Sequence, residues 1–201
     1  MLRRERDLAI IQLTSSDGTN VLSLARVAAL LAAVEELRAE AEAGALKALI
    51  IAGNEKFFSV GADLNEISRL NGPEAFGFSR RGQKLTLAVD RFPVPAIAAI
   101  RGYCMGGSMD LALACDYRIA SPDAVFGHRG ANLGVITGWG GTQRLPRLIG
   151  RARALQMFLL AEMVPAEEAL RIGLVNGIAE NPVEEAMSWV AALSTGSALE
   201  T

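Results

Sequence analysis

Two glycine-containing turns, each followed by an acidic residue, carry the residue types best suited to chemistry in this chain. The first is SVGADL (residues 59–64) and the second is GGSMD (residues 106–110). Glycine lets a ligand atom approach backbone N–H groups, because it has no Cβ in the way. The first N–H groups of a helix also lack helical partners. Two such donors aimed at one oxygen would stabilise an oxyanion, and the spacing predicts Val60 and Gly107 as those donors.

Asp110 is the single acid in the apolar stretch GYCMGGSMDLALAC (residues 102–115). It lies three positions after Gly107, and residues i and i+3 share one face of a helix. We therefore expect its carboxylate to face the space next to the Gly107 N–H. For an isolated segment, the alternative is an acid that complements the helix dipole. Asp63 fits that alternative, as the N-cap of a short helix.

His128 is the only histidine in the chain and lies two positions before Gly130. A histidine side chain has an ordinary pKa of about 6.5, which suits proton transfer. In an extended segment, residues two apart share a face, so either position can point into a pocket. The alternative is a structural histidine at the end of a strand. We treat His128 as a catalytic candidate.

The elements that must position these residues alternate between strand and helix. Buried strands are predicted at residues 46–53 and 93–100, each upstream of one of the glycine turns. A long helix is predicted to begin after Ser23 as its N-cap and to stop at Gly44. No composition shift or linker divides the chain. The alternation predicts one α/β domain.

Composition and charge exclude several function classes. With 20 basic residues, 22 acidic residues and 5% aromatic residues, the chain is poorly suited to bind nucleic acid. No apolar run approaches the roughly 20 residues of a spanning helix, and the N-terminal segment lacks the apolar run of a signal peptide. Two cysteines without a Cys/His cluster predict free thiols and no metal site. We expect a cytoplasmic protein that binds neither a membrane nor nucleic acid.

Four ordered segments resemble the crotonase superfamily, the enoyl-CoA hydratase/isomerase family. They are FFSVGADLNEI (57–67), PVPAIAAIRGYCMGGSMDLALACDYRIAS (93–121), AVFGHRGANLGVITGWGGTQRLPRLIG (124–150) and AEEALRIGLVN (166–176). The resemblance implies an α/β fold of the ClpP/crotonase type, a spiral of ββα units in a single domain over residues 1–201. Its core would span about residues 7–192 and residues 193–201 would form a tail. The C-terminal helical region is expected to be shorter than in the family.

The same resemblance implies an acyl-CoA thioester as the substrate, with coenzyme A as part of that substrate and no separate cofactor. The thioester carbonyl would bind in the backbone oxyanion hole, where negative charge develops as an enolate forms. The family also implies a homotrimer or a dimer of trimers and a role in fatty acid metabolism. The residues expected to contact coenzyme A are Val21, Leu22, Ala62, Asp63, Leu64, Gly106 and Gly130.

The sequence departs from the family at the second of two catalytic glutamates. The first falls at Asp110, a shorter carboxylate, and the second at Gly130, which has no side chain. General acid–base catalysis typically contributes roughly 10²–10⁴-fold, so this loss would weaken or redirect a hydratase. His128 is the candidate replacement. Thr137 and Trp139 lie in a later loop that the family places near the active site.

We therefore predict an enzyme of the enoyl-CoA hydratase/isomerase type, with Asp110 as its acid/base. Two alternatives stay open because of Gly130. One is another crotonase-type reaction, such as decarboxylation or thioester hydrolysis. The other is a non-catalytic acyl-CoA-binding pseudoenzyme, which would have no turnover for an Asp110→Asn substitution to abolish.

Overall fold

The computed structural model describes residues 1–195, in which short strands and helices alternate. The strands are β1 (Leu2–Glu5), β2 (Leu8–Gln12), β3 (Ala48–Ala52), β4 (Phe57–Ser59), β5 (Ala96–Ile100), β6 (Tyr103–Met105), β7 (Tyr117–Ala120), β8 (Val125–Gly127), β9 (Met163–Pro165) and β10 (Gly177–Ile178). The α-helices are α1 (Leu24–Glu42), α2 (Leu64–Ile67), α3 (Gly72–Asp90), α4 (Gly107–Leu113), α5 (Gly141–Ile149), α6 (Arg151–Leu159), α7 (Ala166–Arg171) and α8 (Pro182–Thr195). A 3-10 helix covers Arg129–Leu133.

The larger sheet has six strands in the order β1-β2-β3-β5-β7-β10. Within this sheet, neighbouring strands from β2 through β3, β5 and β7 to β10 pair in parallel, and β1 is an antiparallel edge strand. Every residue of β3 and of β5 is buried, as expected for parallel strands that are covered on both faces. The two buried strands predicted from the sequence are therefore confirmed. Strand β1 was not predicted, because its sequence LRRE is exposed and charged.

The smaller sheet has four short strands in the order β4-β6-β8-β9. Three times in succession the chain leaves a strand of the larger sheet, adds a strand to the smaller one and continues into a helical segment. These units begin at β3, β5 and β7. The repeated ββα unit that was predicted is therefore present. Strand β6 was not predicted, because its three residues lie between Gly102 and Gly106 and carry little strand signal.

The N-cap predicted for the first long helix is also present. The Ser23 side chain accepts a hydrogen bond from the Arg26 N–H at the start of α1. Helix α3 begins with a capping box between Asn71 and Glu74. Such caps satisfy N–H groups that have no partner in the first turn.

Helix α8 covers the larger sheet, where Ala186 and Val190 are buried and Trp189 stacks on Tyr117 of β7 with 4.6 Å between ring centroids. The helix extends to Thr195, so the first three residues of the predicted tail are helical. The other residues of that tail lie outside the described residues. Within residues 1–195, the structure has no helix that is long and apolar enough to span a membrane.

Candidate active site

The two glycine turns meet at one edge of the smaller sheet. Strands β4 and β6 are parallel neighbours, so the turns that follow them leave the sheet on the same side. Gly61 has φ of +89° and lies against the second turn. A Cβ at Gly61 would overlap the Met105 carbonyl oxygen and lie 3.0 Å from the Gly107 nitrogen. Glycine is therefore required for the two turns to touch.

Ser108 connects the same two turns. Its hydroxyl donates to the Ser59 carbonyl oxygen at 2.7 Å and accepts from the Met105 N–H at 2.9 Å. The side chain is fully buried. Because its hydrogen bonds hold backbone groups of β4 and β6, Ser108 has a structural role in the site.

Gly107 is the first residue of α4, and Gly106, with φ of +54°, is the residue before it. The Gly106 N–H donates a hydrogen bond to the Gly127 carbonyl oxygen at 2.9 Å, so this N–H already has a partner within the protein. The Gly107 N–H makes no hydrogen bond within residues 1–195. This donor is open, as the sequence predicted.

The donor expected at Val60 requires a correction. The Val60 N–H donates to the Thr19 carbonyl oxygen at 3.1 Å. The chain bends back onto residues 19–22 after β4, and that bend gives the Val60 N–H a partner. The Gly61 N–H is also occupied, at 3.0 Å from Ser59 Oγ. The next N–H, that of Ala62, makes no hydrogen bond in the part of the chain that the structure describes. Ala62 therefore replaces Val60 as the open donor of the first turn.

The residues predicted to contact coenzyme A on this side lie together around the first turn. Leu22 and Ala62 form an isolated parallel bridge, and the Leu22 N–H donates to the Gly61 carbonyl oxygen at 2.8 Å. The Leu22 side chain is fully buried, whereas Leu64 is 53% exposed. Val21 precedes the bridge and is half-buried.

Asp63 is the N-cap of α2, as its position after the glycine turn indicated. Its Oδ1 accepts from the Asn65 N–H at 2.8 Å and from the Glu66 N–H at 3.4 Å. This capping role fixes the chain directly after Ala62. Asp63 therefore stabilises the first turn whether or not a ligand is bound.

The Asp110 carboxylate is fully buried beside the second turn. Its Oδ2 accepts from the hydroxyl of Thr137 and, at 3.2 Å, from the backbone N–H of Trp139. A Cβ at Gly141 would overlap Oδ1, so glycine at that position makes room for the carboxylate. The acid is thus held by the loop of residues 137–141. Thr137 was expected near the site, but its hydrogen bond to Asp110 was not predicted.

His128 lies on the other side of the same carboxylate. Its Nε2 is 3.2 Å from Asp110 Oδ1, and the imidazole is only 4% exposed. The two atoms are not aligned as a hydrogen bond, and neither has another hydrogen-bond partner among the described residues. The imidazole also packs on the Phe158 ring, with 5.0 Å between centroids. The structure therefore brings His128 and Asp110 together.

Gly130 lies in the 3-10 helix that follows His128. Its carbonyl oxygen accepts from the Val135 N–H at 3.0 Å. A Cβ at Gly130 would overlap the Val135 carbonyl oxygen. The backbone thus fills the place where a side chain would begin, and this loop conformation has no room for a glutamate at position 130.

The Trp139 indole forms a wall between α3 and the second turn. It is 2% exposed, and a Cβ at Gly107 would lie 2.7 Å from its ring. A Cβ at Gly82 of α3 would overlap the other edge of the indole. Helix α3 holds this loop through Thr86, whose hydroxyl donates to the Trp139 carbonyl oxygen at 2.8 Å, and through Gln83, whose amide donates to the Gly138 carbonyl oxygen at 2.9 Å.

The two thiols take no part in this arrangement. Cys104 and Cys115 are both buried. Burial raises the pKa of Cys115 to about 12 and raises the pKa of Cys104 further above its ordinary range. Since the thiolate is the reactive form of cysteine, both side chains behave as core residues.

Comparison with known proteins adds to this geometry. Residues 3–200 match the family model described as enoyl-CoA hydratase/isomerase. The chain belongs to the enoyl-CoA hydratase/isomerase family. The resemblance to the crotonase superfamily, predicted from four sequence segments, is therefore confirmed.

Individual members of the enoyl-CoA hydratase/isomerase family show the extent of the similarity. The chain is 38% identical over 181 residues to a crotonyl-CoA hydratase of Syntrophomonas wolfei, covering 90% of the chain and 68% of that protein. It is 35% identical over 180 residues to a short-chain-enoyl-CoA hydratase of Clostridium acetobutylicum, again covering 90% and 68%. The chain spans 56% to 68% of the lengths of four curated relatives that it matches.

The fold of the family is shared as well. The crystal structure of an enoyl-CoA hydratase from Bacillus anthracis superposes with a TM-score of 0.90 at 33% sequence identity, covering 97% of this chain and 76% of that protein. The predicted crotonase-type α/β fold is confirmed.

Proposed function

We propose that this protein is an acyl-CoA enzyme of the enoyl-CoA hydratase/isomerase type, with a backbone oxyanion hole and Asp110 as its acid/base. One observation carries the proposal. Two glycine turns are in contact, and each has an open backbone N–H, at Ala62 in the first turn and at Gly107 in the second. The buried Asp110 carboxylate lies one helical turn beyond Gly107. This combination suits a thioester that becomes an enolate.

In the proposed reaction the thioester carbonyl oxygen accepts hydrogen bonds from the Ala62 and Gly107 N–H groups. Negative charge moves onto this oxygen as the α-carbon or β-carbon reacts, so the donors stabilise the transition state more than the ground state. Both donors are backbone groups in turns fixed by Gly61 and Ser108. They need little reorganisation at the moment of reaction, which is the source of this kind of catalysis.

Asp110 exchanges a proton with the α-carbon in this proposal. Helix α4 places the residue three positions after the Gly107 donor, on the same face. Thr137 and the Trp139 N–H occupy Oδ2, so Oδ1 is the oxygen left for proton transfer. Because the carboxylate is fully buried, its orientation is set before a substrate binds.

The coenzyme A portion would lie along the first turn, against Val21, Ala62 and the exposed Leu64. The names of the relatives support a short enoyl thioester as the first substrate to test, since two of them are named crotonyl-CoA hydratase and short-chain-enoyl-CoA hydratase. The proposal extends to a cytoplasmic location, a role in fatty acid metabolism, and a homotrimer or dimer of trimers. Sedimentation of the purified protein tests the oligomeric part.

The decisive experiment measures hydration of crotonyl-CoA by loss of enoyl absorbance, with coenzyme A binding followed by calorimetry on the same sample. The Asp110→Asn variant is expected to lose turnover by roughly 10²–10⁴-fold and to keep its coenzyme A affinity. Asp123→Asn is the matched control, because Asp123 is exposed and bonds only locally, to Ser121. Equal turnover in all three proteins would refute the role of Asp110.

The closed loop at Gly130 favours a second candidate function. With no side chain at that position, this candidate is either a different crotonase-type reaction on the same scaffold or acyl-CoA binding alone. Tight coenzyme A binding without hydration would support this candidate, and assays of decarboxylation and thioester hydrolysis would then separate another reaction from a pseudoenzyme. Absence of both binding and hydration would contradict both candidates.

A further inference from the structure

We infer that His128 and Asp110 act as one proton-transfer pair, so that His128 is a second catalytic residue of the site. The inference rests on the proposed function and extends it. It answers how a family member whose second carboxylate position is a glycine moves two protons during one hydration.

The contact between the two side chains is the first observation. His128 Nε2 and Asp110 Oδ1 are 3.2 Å apart, in a place where the residues are 4% and 0% exposed. Neither atom has an aligned hydrogen bond among the described residues. Buried polar atoms nearly always have a partner, so two unsatisfied ones facing each other need an explanation. A proton shared between the two side chains supplies it.

The second observation concerns the other groups around the Asp110 carboxylate, none of which offers a further acid or base among the described residues. Oδ2 accepts from Thr137 and from the Trp139 N–H, and position 130 has no room for a side chain. Within residues 1–195, the titratable side chain in contact with the Asp110 carboxylate is His128. An additional acid or base must therefore be this imidazole.

The third observation concerns the support of the imidazole. Strand β8 ends at Gly127, directly before His128, and the Phe158 ring of α6 lies against the imidazole. The imidazole is thus held between the end of β8 and the Phe158 ring, and it is buried. A catalytic group needs this kind of fixed placement to transfer a proton in a defined direction.

The proton balance of hydration closes with such a pair. The pair begins the cycle holding one proton. As the water oxygen forms its bond to the β-carbon, one water O–H bond breaks and that proton moves to the pair. The pair gives its original proton to the α-carbon, and the enolate electrons form the new C–H bond. The pair ends the cycle holding one proton, so no further acid, base or oxidant is needed.

The test uses the full chain with His128→Gln, Asp110→Asn and the double variant, each assayed for crotonyl-CoA hydration and for coenzyme A affinity. Glutamine keeps a polar side chain of similar reach but cannot carry the proton. We expect each single variant to lose kcat by roughly 10²–10⁴-fold with coenzyme A affinity unchanged. Because residues that act as a unit are not additive, the double variant should lose about as much as the more damaged single variant.

Arg129→Gln is the matched control, since it changes the exposed neighbour of His128 and should leave kcat unchanged. His128→Asn is made in parallel, so that the result does not depend on one variant's folding. A His128 variant with wild-type kcat, or losses that multiply in the double variant, would overturn the pair while leaving the proposed function intact. An inactive wild-type protein would instead refute the proposed hydration, and the inference with it.

Discussion

The two halves of the site are built on different principles. The first half, residues 59–64 and 106–108, offers backbone N–H groups that glycine conformations and the Ser108 hydroxyl hold in place. The second half, residues 128–141, offers side chains, chiefly His128 and Thr137, around the Asp110 carboxylate. The resemblance to the family implies a match in the glycines of the backbone half and a departure at Gly130 in the side-chain half.

This difference shows which parts of an active site tolerate change. A backbone donor is indifferent to the side chain that it carries, provided that the chain can keep its conformation. A side-chain acid has no such protection, since removal of the glutamate removes its chemistry entirely. In this protein the loop of the second half is closed at Gly130, whose carbonyl oxygen accepts a hydrogen bond from the Val135 N–H.

Within the backbone half of the site, the largest expected effect comes from Gly61→Ala. The added Cβ would overlap the Met105 carbonyl oxygen at a φ of +89°, so the two turns must separate and the Ala62 N–H must move. Loss of one oxyanion donor typically costs about 10²–10³-fold in kcat, and the strained backbone adds roughly 1–3 kcal/mol of destabilisation. Crotonyl-CoA hydration and urea unfolding measure the two effects. Gly72→Ala, at a helix start with open space around it, is the control and should retain full activity.

A smaller but more diagnostic effect is expected from Gly130→Glu, which places a glutamate where the resemblance to the family implies one. Its Cβ would overlap the Val135 carbonyl oxygen, so overpacking should destabilise the protein by roughly 1–3 kcal/mol without any gain in hydration. Thermal unfolding and the hydration assay test this. Ala131→Glu, one position away and exposed, should cost little. If the Gly130→Glu variant hydrates crotonyl-CoA faster than the wild-type protein, the loop opens readily. That result would contradict the view that the second half is closed at position 130.

The smallest effect is expected from Val60→Ala. The Val60 N–H donates to Thr19 rather than to a ligand, and the substitution leaves that backbone bond in place. We expect the hydration rate to change by no more than about twofold, equivalent to about 0.5 kcal/mol. A loss above tenfold would show that the Val60 side chain itself takes part in the site, since the substitution leaves the backbone N–H unchanged.

The donors of the backbone half could be predicted from the sequence to within two residues, since Val60 was predicted and the open N–H is that of Ala62. The glycine turns and the buried strands before them were evident, because apolar runs and glycines are local signals. The choice between Val60 and Ala62 depended on where residues 19–22 pass, since the Thr19 carbonyl takes the Val60 N–H. That contact joins positions about 40 residues apart, and no local pattern reports it.

The side-chain half was predicted less completely for a similar reason. His128 and Asp110 were both candidates, but their 3.2 Å approach depends on how β8 and α4 are placed in space. The hydrogen bond from Thr137 to Asp110 spans 27 residues. Strand β6, which positions the second turn, is only three residues long and lies beside glycines, so its sequence carries little strand signal.

Helix α3 has a consequence for how this enzyme can adapt to temperature. Its Gln83 and Thr86 hold the loop whose Thr137 and Trp139 in turn fix the Asp110 carboxylate. These two hydrogen bonds therefore help to attach the helix and also help to aim the acid. A substitution that weakens them is expected to lower both the heat resistance of the protein and its reaction rate, because the same bonds contribute to each.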